Sequence, residues 1–121
     1  MMRRLVIEIL HSSDDALKAF KETWREAEKG EARAPRLVFG SIRDLFSTIT
    51  EKRLELLRHV ATRQGELNTR QLAISLGRDY KNVHTDVAAL EELGLLEKDE
   101  RGRLNVPFDE IVIHAGLTHA A

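Results

Sequence analysis

Lys81, Asn82 and Thr85 lie within about one helical turn of each other and bring together an ammonium, a carboxamide and a hydroxyl. Base pairs present donors and acceptors along the major groove, and these three groups on one helix face match that chemistry. Ala88, further along the same face, is small enough to allow close approach. Around this trio stand groups suited to phosphate. Arg78 precedes it, Arg70 lies eight residues before Arg78, and Arg101 and Arg103 follow in a short polar turn. Cations at such positions meet a phosphate backbone or a narrow minor groove. Tyr80 reads two ways, as a hydroxyl donor to phosphate or as a packing ring. His84 reads either as a phosphate contact or as a side chain partly buried between helices.

These residues need a scaffold, and the stretch Asn68 to Leu96 supplies its pattern. Leu72, Ala73 and Leu76 follow the 3.6-residue period, and Asn68 with Gln71 resembles a capping box, which predicts a short helix. Gly77 offers a helix stop, and Asp79 is placed to accept bonds from the N–H groups opening the next helix. In that second helix Val83, Val87 and Leu90 share one face, so Lys81, Asn82, Thr85 and Ala88 point away from it. Gly94 ends the helix. Leu95 to Lys98 and Arg103 to Val106 then read as two strands around Asp99-Glu100-Arg101-Gly102, a β-hairpin whose glycine suits a positive φ.

Upstream, Thr50 caps a predicted helix from Glu51 to about Arg63, with Leu54, Leu57, Val60 and Ala61 as its inner stripe and Gly65 as its end. Ser41 with Asp44 opens a further helix carrying Ile42, Leu45, Phe46 and Ile49 on one side. Arg3 to Leu10 suits a half-buried strand, and Ser12 to about Lys29 an amphipathic helix with Phe20 and Trp24 on its stripe. Arg36 to Gly40 reads as a second strand. Asp109 to Ala115 is a last strand candidate, fit to pair with the N-terminal ones, and Gly116 to Ala121 reads as a frayed tail. The expected organisation is therefore α+β, with an N-terminal β-α-β extension over residues 1–40 serving dimerisation, a winged helix-turn-helix over 41–107, and a C-terminal strand and tail over 108–121.

Composition bounds the function. The 121 residues and 42% apolar content suffice for a modest core, and the lack of cysteine removes disulfides and thiolate metal sites, which fits a cytoplasmic protein. The basic start MMRRLVIEIL is interrupted by Glu8 and has no small-residue cleavage site, and no apolar run reaches membrane-spanning length, so no membrane partner is expected. The net charge of -1 excludes coating of nucleic acid by bulk attraction. Residues 69–105 hold basic Arg70, Arg78, Lys81, Lys98, Arg101 and Arg103 against acidic Asp79, Asp86, Glu91, Glu92, Glu97, Asp99 and Glu100. Binding would therefore rest on placed residues, with the acids turned away.

The order of helices followed by a hairpin resembles the MarR-like and ArsR-like winged-helix transcriptional regulators, within them a group of small predicted regulators. The resemblance is carried by Thr50-Glu-Lys-Arg-Leu-Glu-Leu-Leu-Arg58, Leu76-Gly-Arg-Asp-Tyr-Lys-Asn-Val-His84, Asp86-Val87, Ala89-Leu-Glu-Glu-Leu-Gly-Leu95 and Val106-Pro-Phe-Asp-Glu-Ile111. It implies sequence-specific binding of double-stranded DNA and repression by a homodimer. Members of the group also look like antitoxins, which implies a cognate toxin as a second partner. One position departs: where such sequences often place a cation after the histidine, this chain has Thr85.

No enzyme is expected. His11, His59, His84, His114 and His119 lack metal-ligand spacing, and no nucleophile elbow or phosphate-cradling glycine loop is present, so neither catalytic residues nor a metal or cofactor is assigned. The neighbouring Asp109 and Glu110 would point to opposite faces of a strand, poor geometry for shared acid–base work. A third reading uses the near-neutral motif to bind a protein, with Glu91, Glu92 and the hairpin as the contact.

Overall fold

In the computed structural model, which describes residues 3–10 and 35–116, the chain is α+β. Strand β1 (Arg4–Ile9) and strand β2 (Arg36–Phe39) are followed by helices α1 (Ile42–Thr48), α2 (Glu51–Thr62), α3 (Thr69–Leu76) and α4 (Tyr80–Glu92). Strands β3 (Glu97–Lys98), β4 (Leu104–Asn105) and β5 (Glu110–His114) complete the order. The expected helix from Ser12 to Lys29 lies outside the described residues. No helix among those described is long and apolar enough to cross a membrane. The chain divides into two compact units, residues 1–48 with 110–121, and residues 49–109.

The first unit is built on a three-stranded sheet in the order β2-β1-β5, with β1 parallel to both neighbours. Leu5, Ile7 and Ile9 alternate along β1 and are buried, joined on their face by Phe39 from β2. Alternation places Val6 and Glu8 on the opposite face, where Glu8 pairs with Arg36 across the β1–β2 seam and Arg4 pairs with Glu110 across the β1–β5 seam. Ser41 Oγ accepts the N–H of Asp44 to open α1, which packs beside β2. Of the apolar side assigned to α1, Leu45 is buried whereas Phe46 is exposed. Leu45 and Ile49 are four residues apart and define the inner line, and Phe46 stands 100° away from Leu45.

The second unit surrounds a core of Leu56, Leu57, Val60, Leu67, Leu72, Val83, Val87, Leu90, Leu95, Leu96, Leu104 and Val106. Full burial of each such side chain stabilises by about 1.5–3 kcal/mol before entropy is charged against it. The α2 stripe differs from expectation: Leu56 is wholly buried, whereas Ala61 is exposed and Leu54 only half-buried. The run Leu54-Glu-Leu-Leu57 fits two helical phases, and packing selects the one through Leu56 and Val60.

Local signals set the helix ends. Thr50 Oγ1 accepts the Arg53 N–H at 3.2 Å, and Asn68 and Gln71 exchange both bonds of a capping box, at 2.8 and 2.9 Å. Helices α3 and α4 both close with a left-handed glycine. Gly77 and Arg78 donate to Ile74 and Ala73 carbonyls, and Gly94 and Leu95 to those of Glu91 and Leu90, the paired bonds of a Schellman motif. Asp79 differs from expectation, because it occupies the cap position of α4 without a side-chain cap bond. Tyr80, Lys81 and Asn82, which open α4, are exposed residues, so water can serve their N–H groups in place of the carboxylate.

The β3–β4 hairpin is shorter than its two expected four-residue strands, with only Glu97–Lys98 and Leu104–Asn105 pairing. Its roots are nonetheless firmly held. Leu104 exchanges backbone bonds with the segment after α2, donating to Leu67 and accepting from Gly65. The Gln64 carboxamide donates to the Val106 carbonyl and accepts its N–H, both at 2.7 Å.

Candidate nucleic-acid interface

Helix α4 presents Lys81, Asn82 and Thr85 to solvent because its other side is committed to the core. Val83, Val87 and Leu90 are buried, and Lys81, Asn82, His84, Thr85 and Ala88 are exposed. The side chains of Lys81 and Asn82 make no hydrogen bond or ion pair with the described residues and are exposed, so their donors face solvent. Thr85 behaves differently from its two neighbours. Its Oγ1 donates to the Lys81 carbonyl at 3.1 Å, so what it offers outward is a lone pair and a methyl group rather than a donor. Such a methyl suits apolar contact with thymine.

Arg70, at the start of α3, is brought beside this face. Its guanidinium carbon lies 4.7 Å from the centroid of the Tyr80 ring, and that ring in turn sits 5.8 Å from His84 at an interplanar angle of 50°. In this stack Tyr80 is 39% exposed, and His84 is exposed rather than buried between helices. Holding Arg70 over an aromatic face stabilises by about 0.5–1 kcal/mol at an exposed site and limits the directions in which its donors point. A continuous exposed strip therefore runs from Arg70 through Tyr80 and His84 to Lys81 and Thr85.

Arg78 has another occupation. Its Nη2 donates to Asp86 Oδ2 at 2.8 Å, while Arg53 Nε, from α2, donates to the other oxygen at 3.1 Å. The side chains of Arg78, Asp86 and Arg53 are 20%, 15% and 18% exposed, which places this triad largely out of water. Burial works against the charge on Asp86, but the hydrogen bonds and positive charges of Arg78 and Arg53 outweigh it and hold the carboxyl below its ordinary value. The triad fixes the turn between α3 and α4 onto α2, and it neutralises Asp86 on the flank of α4. Arg53 and Gln64 were not recognisable as positioning residues from sequence. Their partners Asp86 and Val106 are remote along the chain, and no local spacing signals such pairs.

In the hairpin, Asp99 organises the tip by accepting backbone N–H bonds from Arg101 at 2.8 Å and Arg103 at 3.0 Å. Those bonds, the Arg103 one foremost, prevail over the opposing effect of desolvation and hold the Asp99 carboxyl below its ordinary value. Gly102 takes φ +77° to close the turn. Arg101 is exposed, whereas Arg103 reaches the Glu66 carbonyl at 3.4 Å. Lys98 pairs with Glu91 at 3.3 Å, joining the hairpin to the far end of α4.

The fold and this surface define an α+β chain with two helices joined by a tight turn, a supporting helix and a following hairpin. The family model HVO_A0114 matches residues 48–113, and the chain belongs to that family. No curated protein gives a significant match to the chain.

Proposed function

We propose that the chain is a winged-helix regulator that binds double-stranded DNA in a sequence-specific way, acting as a homodimeric repressor. In this reading α3 and α4 form the helix-turn-helix, α4 lies in the major groove, and β3–β4 is the wing. The observation that carries it is the exposed strip from Arg70 to Thr85, in which donors face solvent while Asp86 is neutralised by two arginines. A net charge of -1 does not oppose this, since affinity then rests on a few cations placed along one surface. The resemblance to MarR-like and ArsR-like regulators supports the same assignment. It also keeps an antitoxin role attached to this surface, in which a toxin partner would reinforce repression.

Selection of bound sequences from random double-stranded DNA tests the proposal. Two recognition helices on a symmetric dimer should recover a partly palindromic site with half-sites about 34 Å, or one helical turn, apart. Recovery of no enriched sequence at low salt would overturn it and favour a protein-binding module. Replacing Arg101 by Ala should weaken binding evenly across sequences and reduce the salt slope by about 1, because an exposed wing cation meets phosphate rather than base edges.

A further inference from the structure

The β2-β1-β5 sheet has two edges, and they differ in a way that bears on assembly. At the β2 edge, Pro35 immediately precedes the strand and Arg36 begins it, both of which discourage addition of another strand. Among the described residues the β5 edge carries no such guard. Its sequence is Glu-Ile-Val-Ile-His, with no proline, lysine or arginine, and among the described residues nothing pairs with its outer side. Val112 and Ile113 are 37% and 45% exposed. An uncovered apolar edge with open backbone donors and acceptors is completed by another strand.

We propose that this strand is a second copy of β5, paired antiparallel about Val112, so that two sheets join into one of six strands. The sequence is self-complementary in that register. Val112 stands opposite its own counterpart, each Ile111 opposite the other copy's Ile113, and each Glu110 opposite the other copy's His114. Directly opposed residues in an antiparallel pair share a face, so the isoleucines meet on the side where Leu5 and Ile7 are buried. The Glu110–His114 pairs fall on the other side, where Arg4 already orients Glu110. A carboxylate opposite an imidazole N–H forms a hydrogen bond in either charge state of the ring. Pairing about any neighbouring residue would break this match and leave Glu110 or His114 opposite an apolar side chain. This identifies the contact of the proposed homodimer, and it concerns a unit separate from residues 49–109.

The chain lacks cysteine, which makes the test clean. Sedimentation of the full chain without DNA should show a dimer. Val112→Glu and Val112→Lys each place like charges opposite one another and should raise the dimer dissociation constant at least ~100-fold. An equimolar mixture of the two should recover a heterodimer. Val112→Cys should form a disulfide-linked dimer on mild oxidation, and Val38→Cys on the other edge should not. A wild-type monomer, a charged variant that still dimerises alone, a mixture that stays monomeric, or a Val112→Cys chain that does not cross-link would overturn the pairing. Should a charged variant fail to fold, the cysteine result decides. Because association is read without DNA, a dimer of this kind that ignores DNA would overturn the proposed function alone.

Discussion

The carboxylate of Asp86 takes one hydrogen bond from each of two arginines, and this arrangement accounts for how an acid can sit next to a surface proposed to meet phosphate. Its folded pKa is depressed, so the stability it contributes is present above the unfolded value near 4 and is lost as pH falls through the folded one. Replacement by Asn should cost about 2 kcal/mol at pH 7, between the worth of exposed and buried pairs, and should flatten the acid limb of a denaturation curve taken from pH 5 to 2. Arg78→Ala should likewise lower the melting temperature, since its guanidinium is engaged in this triad. A variant that lost DNA affinity with unchanged stability would instead return Arg78 to the phosphate role expected from sequence. Asp79 is the opposite case, an exposed carboxylate at the opening of α4 without a cap bond. Asp79→Asn keeps a cap-competent side chain and removes a charge that would repel phosphate, so DNA should bind several-fold more tightly in an anisotropy titration.

Among the elements, the turn between α3 and α4 decides how the exposed face of α4 is aimed. Gly77 holds φ +66° with open space where a Cβ would stand, so Gly77→Ala meets backbone strain rather than a clash. That strain should cost about 1–2 kcal/mol in chemical denaturation, with folding retained. These ends were legible beforehand because caps are local: Thr50, the Asn68–Gln71 box, Gly77 and Gly94 act on residues within one turn of themselves. The commitment of Arg78 to Asp86 was not legible, because a turn arginine next to a reading helix has the same sequence appearance whether it faces phosphate or folds back. The phase of α2 was ambiguous for a related reason, with three leucines within four residues and only tertiary packing to choose Leu56 over Leu54. The sequence places Thr85 as an outward hydroxyl, yet a mid-helix threonine has a carbonyl acceptor one turn back, and its hydroxyl proton goes there.

For the whole molecule, the division of labour follows from what each unit leaves open. Residues 49–109 bury most of their large apolar side chains in one core, leaving Ile74 exposed, and present a polar strip, while in the sheet unit nothing among the described residues pairs with the outer edge of β5. The apolar run Ile111 to Ile113 was legible as a strand fit to pair with the N-terminal ones, and β5 does lie along β1. The parallel register and the open edge were not, since neither follows from the strand's own sequence. In the proposed function α4 reads bases through Lys81 and Asn82. Its most direct test is fluorescence anisotropy of the Lys81→Ala, Asn82→Ala double variant on the site recovered by selection, against a scrambled duplex at the same salt. Discrimination between the two duplexes should fall by about 2–4 kcal/mol while the melting temperature holds, since both side chains are exposed. Unchanged affinity and unchanged discrimination would contradict it.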